Sequence, residues 1–380
     1  MAEKIINEKI DSIFCELEAI KKLNEIINNR FAYQRVLVIC DDSRNMLKLK
    51  SFTEKMNYKI DICNISGIDY ENEFDLYVAW GSDECVNRVK ALAYLKNTQY
   101  IIIASNNNSL SIFSNTVFAG VTKKQVNYPL VILFDLENIY KFGNEFICSK
   151  LMELSILEEY KLEQRLNKHI YELDMDRNFF DEANSILGKM FDLKRLYVQS
   201  KNKAVDEMIN LFIETGLLLI KFNQNLSIVE IMGMFIHKRS KLSFSESKFI
   251  SSQILLKVYM KFIETFKMNC KHPISYEKHQ KILQKYNIVY TPTQEYDVKK
   301  FDYIIKNYKD RLQEYILLSQ NTYEVILELC KYFSLNFLFH YSEKLKTDNY
   351  VQALSLASDL YSNNSLLKII NSYGFLNYSL

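Results

Sequence analysis

Glycine and proline are scarce, 8 and 3 in 380 residues, where average usage is about 7% and 5%. So few turn formers disfavour a turn-rich all-β chain and suit long helices. They also leave little material for the glycine-rich loops on which most phosphate sites depend. The seven cysteines, at 15, 40, 63, 85, 148, 270 and 330, form no CxxC pair and no other zinc spacing. Reduced thiols filling core space are therefore expected, not a disulfide framework. The five histidines (169, 237, 272, 279, 340) include no pair spaced i, i+3 or i, i+4, so no two share a helical face in the way a helical metal site needs. A Walker loop, a nucleophile elbow and an HExxH helix are all missing.

The first 28 residues alternate Lys, Glu and Asp with Ile and Leu at helical spacing and hold no uninterrupted apolar run. Neither a signal peptide nor a membrane anchor is expected there, and a cytoplasmic location follows. The 48 Lys and Arg against 46 Asp and Glu leave a net charge of +2, which gives no electrostatic reason to expect a nucleic-acid or membrane partner.

What the chain does have is 48% apolar and 25% charged residues, enough for a substantial core in two domains. Short apolar runs at Val36 to Cys40, Lys59 to Ile65, Asp75 to Trp80, Tyr100 to Ala104 and Leu130 to Phe134 are separated by polar amphipathic stretches. Runs of that length joined by helices predict buried parallel strands in an open α/β sheet of Rossmann-like type. Beyond about Asn138 the pattern changes to successive amphipathic helices, at Lys150 to Leu173, Phe179 to Phe191, Lys203 to Lys221, Glu246 to Lys267 and Asp310 to Phe333. The expected domains are residues 1–140, α/β and nucleotide-binding-like, and 141–380, all helical.

In such a sheet, ligands bind beyond the carboxyl ends of the strands, so the loops there carry the functional argument. The stretch Asp75 to Asn115, DLYVAWGSDECVNRVKALAYLKNTQYIIIASNNNSLSIFSN, resembles the strand, glycine loop, helix, strand and substrate loop of the sn-glycerol-1-phosphate dehydrogenases. That family lies within the superfamily of iron-containing alcohol dehydrogenases, glycerol dehydrogenases and dehydroquinate synthases. VLVICDDSRN (Val36 to Asn45) is similar to the family's first strand and Asp-rich turn, and PLVILFDLENI (Pro129 to Ile139) to the strand that precedes its helical domain. The resemblance implies a dehydroquinate synthase-like architecture. It places Asp41, Gly81, Ser82, Lys90, Ser105 and Asn106 at the dinucleotide and substrate loops.

The chain departs from the family where the chemistry lies. The family's loop of several glycines is Trp80-Gly81-Ser82-Asp83-Glu84 here, with Asn87 in place of an Asp; Leu110 stands where a substrate-side Asp is expected. Two carboxylates at the place of a pyrophosphate oppose it electrostatically, although acidic residues also favour a helix N-terminus. The family's catalytic metal is held by an Asp and two histidines. Matching EEYKL (Glu158 to Leu162) puts the Asp position on Ser149, with Glu145 as a substitute if the shorter preceding connection shifts the register. The histidine positions fall on Gly233 and on Phe244 of Phe244-Ser245-Glu246, while His237 resembles a neighbouring family histidine.

Several further clusters are candidates on spacing alone. Glu230 and His237 are two turns apart, an acid/base or weak metal pair; Asp83, Glu84 and Lys90 form a candidate polar site at a strand end; His272 and His279 are seven apart with Pro273 between them. The expected function is a divergent glycerol-1-phosphate dehydrogenase-like protein without the metal site or the standard NAD loop. It would be a scaffold binding a small molecule in an interdomain cleft, a protein partner or a second copy of itself, with no cofactor. The alternative is an active oxidoreductase interconverting dihydroxyacetone phosphate and glycerol-1-phosphate, with NAD(P) and one zinc, nickel or iron ion. In that case Glu145 and His237 would serve the catalytic site. The 26 Tyr and 24 Phe are expected in the core, an exposed interaction module being the other use for them.

Overall fold

The computed structural model describes residues 4–6, 9–30, 35–41, 43–53, 58–68, 71–119, 122–223, 227–240, 242–266, 298–334, 347–361, 363–372 and 376. His272, His279 and His340 lie outside the described residues, as does Cys270. The chain divides into two compact units, Met1–Phe146 and Ile147–Leu380.

In chain order the first unit carries β1 (Lys4–Ile6), β2 (Ile10–Glu16), α1 (Ala19–Arg30), β3 (Arg35–Cys40), α2 (Ser43–Thr53), β4 (Lys59–Cys63), β5 (Leu76–Trp80), α3 (Asp83–Leu95), β6 (Gln99–Ala104), β7 (Thr116–Ala119), β8 (Thr122–Gln125), β9 (Val131–Asp135) and α4 (Leu136–Lys141). Helix α5 (Gly143–Leu154) leads into the second unit, which continues with α6 (Ile156–Ile170), α7 (Arg177–Lys189), α8 (Leu193–Gln199), α9 (Lys201–Lys221), α10 (Ile228–His237), α11 (Phe244–Thr265), α12 (Val298–Phe333), α13 (Thr347–Leu360) and α14 (Leu366–Ser372).

Seven strands form one sheet in the order β1-β2-β9-β6-β5-β3-β4. The six from β2 to β4 run parallel and β1 is antiparallel to β2. Strands β5 and β9 are buried at every position, and β3 and β6 at all but the first, as continuous apolar runs require when helices cover both sheet faces. All five expected strands are present, each shifted at one or both ends by one or two residues. Within residues 1–28, whose apolar and charged residues alternate at helical spacing, the structure places β1, β2 and most of α1. Strand β2 pairs with β9, Phe14 opposite Leu133, so tertiary pairing overrode a periodicity that is ambiguous over short segments. The β7–β8 hairpin was not expected either.

From β3 the chain moves outward to β4 and then returns past β3 to β5, β6 and β9. The direction therefore reverses between β3 and β5, whose last residues, Cys40 and Trp80, are register partners. The topological switch point of the sheet lies just beyond them.

The second unit is helical, as expected. The stretch expected as one helix from Lys150 is two, α5 and α6, separated at Ser155. The Ser155 hydroxyl donates to the Met152 carbonyl at 2.6 Å, and its own carbonyl accepts from the Tyr323 hydroxyl at 3.2 Å. Among the described residues no helix is long and apolar enough to cross a membrane.

Candidate functional site

At the switch point the chain leaves β3 into Asp41 and leaves β5 into Gly81 and Ser82, which open α3. The Asp41 carboxylate reaches across and accepts the Ser82 backbone N–H at 2.8 Å, and the Ser82 hydroxyl donates to the same oxygen. A Cβ on Gly81 would overlap this carboxylate, with Asp41 Cγ only 2.6 Å away. Gly81 is therefore glycine because Asp41 lies against its α-carbon. An unpaired N–H at a helix start attracts an anion, and here the protein supplies that anion itself.

The neighbouring side chains brace the loops to each other. Asp83, in the first turn of α3, accepts the Ser109 backbone N–H at 3.0 Å and the Ser111 hydroxyl at 3.0 Å. Asn108 is fully buried; its amide donates to the Gly81 carbonyl and its oxygen accepts the Ser105 N–H, both at 2.8 Å. Lys90 is also fully buried and donates to the Ser111 and Ser114 carbonyls at 2.6 and 2.7 Å. Burial pushes its ammonium down to about 7 against a partial restoring pull from Asp83.

Of the expected dinucleotide and substrate residues, the structure gathers Asp41, Gly81, Ser82 and Ser105 around these loops, while the Lys90 ammonium is turned onto backbone carbonyls. Asn106 is half-buried in the turn after β6, and Leu110 is in the core of the first unit. Glu84 is exposed, 4.0 Å from Arg88. The suggested Asp83, Glu84 and Lys90 site is therefore not a convergent trio, because two of its members hold the following loop and the third faces solvent.

In the second unit, Ser149 on α5, Gly233 on α10 and Phe244 on α11 come together around one charged pair. The Ser149 hydroxyl is 3.1 Å from the Ser245 hydroxyl, which donates to Glu153 Oε1 at 2.7 Å. Glu153 Oε2 is bonded to the Lys248 ammonium, and both side chains are almost wholly buried. The Lys248 ammonium lies 4.7 Å from the Phe244 ring centre. A Cβ on Gly233 would sit 2.6 Å from Lys248 Cγ and 3.1 Å from its Cα, so this glycine is what lets α10 close onto α11.

Glu145 and His237, the suggested catalytic pair, are both exposed. Glu145 is in the first turn of α5, and His237 Nδ1 lies 2.7 Å from the Leu242 carbonyl beyond the end of α10. Glu230 closes a capping box with Ser227 at the other end of α10, which accounts for its carboxylate without a partnership with His237. Among the described residues no group of three or more His, Cys, Asp or Glu is placed to hold a metal ion.

Residue-by-residue reading missed a set of buried carboxylates on α6. Glu158 accepts from Lys161 at 2.7 Å, Arg165 at 3.1 Å and the Ser319 hydroxyl at 2.9 Å. Glu159 accepts the Val229 N–H at 3.0 Å and Glu163 the Tyr259 hydroxyl at 2.7 Å, and each leaves its second oxygen without a hydrogen bond among the described residues. Burial pushes Glu159 up to about 8 and Glu163 up to about 7. EEYKL served above only to set a register. The signal available was its crowding of acidic residues beside a long apolar run, which an ordinary solvated helix face also produces.

No protein-family model and no curated protein matches the sequence. Solved structures do match in fold. An iron-containing alcohol dehydrogenase from Thermotoga maritima aligns with a TM-score of 0.56 at 12% identity, over 99% of each chain. An alcohol dehydrogenase from Oenococcus oeni gives 0.58 at 11%, over 98% of this chain and 100% of that one. Maleylacetate reductase from Agrobacterium tumefaciens gives 0.55 at 12%, over 99% and 97%. The architecture is that of the iron-containing alcohol dehydrogenase and dehydroquinate synthase-like class, and at these identities the likeness is one of fold.

Proposed function

We propose that this chain is a divergent, glycerol-1-phosphate dehydrogenase-like protein that no longer transfers hydride and serves as a scaffold for a small molecule or a protein partner. The observation that carries this reading is Asp41. Its carboxylate takes the Ser82 N–H at the start of α3 and lies on the α-carbon of Gly81. A dinucleotide pyrophosphate at this loop would have to displace that carboxylate and then sit beside it and Asp83. Like charges about 4 Å apart repel by roughly 4 kcal/mol at an effective dielectric near 20, half of a micromolar binding free energy. The residues present therefore do not fit a dinucleotide bound in this way, and no hydride step is derived through one.

The test is thermal unfolding of the full chain with and without millimolar NADH or NADPH. A ligand at about 100 times its dissociation constant adds roughly 2.7 kcal/mol to the folded state, so binding of useful strength would show plainly. The expected outcome is an unchanged midpoint with either cofactor. A clear rise would overturn the reading and restore the active oxidoreductase on dihydroxyacetone phosphate and glycerol-1-phosphate.

A further inference from the structure

We propose that the Lys248 ammonium, held by Glu153, is a tethered cation standing where a catalytic metal ion of this fold would have to bind, and that it closes the position to divalent ions. The proposal deepens the reading above and shares with it the matching of Ser149, Gly233 and Phe244. It does not depend on the dinucleotide loop.

Three positions far apart in sequence were assigned to metal ligation by resemblance, and the structure brings all three onto the same pair. Ser149 is linked to Glu153 through the Ser245 hydroxyl, Phe244 packs its ring beneath the ammonium, and Gly233 lies against the stem of Lys248. None of the three carries a donor suited to zinc or iron, and the carboxylate bonded to Ser245, Glu153, is already neutralised by the lysine. A zinc ion takes four donors, three or more from protein side chains. It would meet a single occupied carboxylate here and the repulsion of a neighbouring positive charge.

The substitution makes physical sense as a pair. Glu153 without Lys248 would be a stranded buried negative charge, which is strongly destabilising. A lysine one helical turn beyond Phe244 supplies the compensating charge on a flexible stem. Gly233 leaves the room that the stem needs, since a larger residue would push into Lys248 Cγ. An ammonium has no vacant coordination position, so it neutralises the carboxylate without supplying a Lewis acid.

The experiment measures metal in the full-length protein from cells supplied with zinc, iron and nickel, followed by cobalt titration read from its visible absorption. Wild type is expected to hold less than about a tenth of an equivalent, to show no cobalt band and to keep its thermal midpoint in EDTA. Near-stoichiometric metal that disappears on Glu153→Gln substitution would overturn the proposal. The double variant Ser149→Asp/Lys248→His offers three donors and no lysine. It is expected to bind one cobalt ion per chain at least tenfold more tightly than Ser149→Asp alone.

Equal cobalt affinity in these two variants, or none in a folded double variant, would also overturn the proposal. If the double variant does not fold, the wild-type metal content and its response to EDTA decide. The two readings fail separately. Binding of NADH without metal would break the functional reading, and metal held by Glu153 without NADH binding would break this one.

Discussion

The loop at the switch point and the Glu153–Lys248 pair each place a fixed side-chain charge at a position that the sequence resemblance, and only that, matches to a cofactor charge of the same sign. They are stabilised in different ways. Asp41 is half-buried and is held by a neutral N–H and a hydroxyl at a helix start, where the backbone itself supplies positive potential. Lys248, in the second turn of α11, is almost wholly buried against Glu153 in the last turn of α5 and is held by that full countercharge. A helix N-terminus can hold an anion without an ion partner, whereas a cation in a helical core cannot stay charged alone. The second arrangement should therefore be the more sensitive to single substitutions.

The largest expected effect tests that asymmetry. Glu153→Ala or Lys248→Met alone should cost about 3–5 kcal/mol in denaturant unfolding, because each strands a buried charge. The double substitution Glu153→Leu/Lys248→Met should recover most of the loss. Single variants within about 1 kcal/mol of wild type, the range of an exposed pair, would remove the distinction between the two regions.

A smaller effect is expected at the switch point. Gly81→Ala should cost about 1–3 kcal/mol through overlap with the Asp41 carboxylate, and adding Asp41→Ala should relieve much of it. Additive losses in the double variant would show that Asp41 is not what requires a glycine at that position.

The most discriminating comparison is a difference in pH response. Lys90 in the first unit is lowered from 10.5 to about 7, so between those values the unfolded chain binds more protons and stability rises with pH. In the second unit Glu159 and Glu163 are raised from 4.5 to about 8 and about 7. Their contribution is fully present below about pH 4.5 and is lost as pH rises through the folded values. Hydrogen exchange corrected for intrinsic rates should show protection of the α6 core falling from pH 5 to 8 and that around α3 rising from pH 7 to 9. Parallel slopes in the two units would contradict these assignments, and Glu159→Gln should flatten only the slope of the second unit.

Much of the fold was legible in the sequence. Four central strands, β3, β5, β6 and β9, showed themselves because strands covered on both faces are written as unbroken apolar runs, the edge strand β4 showed itself by a short apolar alternation, and helical spacing took over after Asn138. Strand β2 escaped because its alternation is short and shares its neighbourhood with α1. The loops after Cys40, Trp80 and Ala104 do follow strands, as the apolar runs implied, but what their side chains do was not legible. Asn108 lies within a run of asparagines, and nothing local says that it alone is fully buried and ties Gly81 to Ser105. Lys248 and Glu153 read as ordinary polar positions of amphipathic helices, since their meeting depends on how α5 and α11 pack.

By itself the sequence determined the α/β-then-helical order, and it put no carboxylate or imidazole at Ser149, Gly233 or Phe244, the positions that the resemblance matches to metal ligands. Tertiary structure alone decided which charges fill the two places: Asp41 at the start of α3 and Lys248 against Glu153. Periodicity and local propensity act over a few residues and fix elements. The environment of a charge is set by groups that the fold brings together from far along the chain, and burial then determines whether that charge needs a partner.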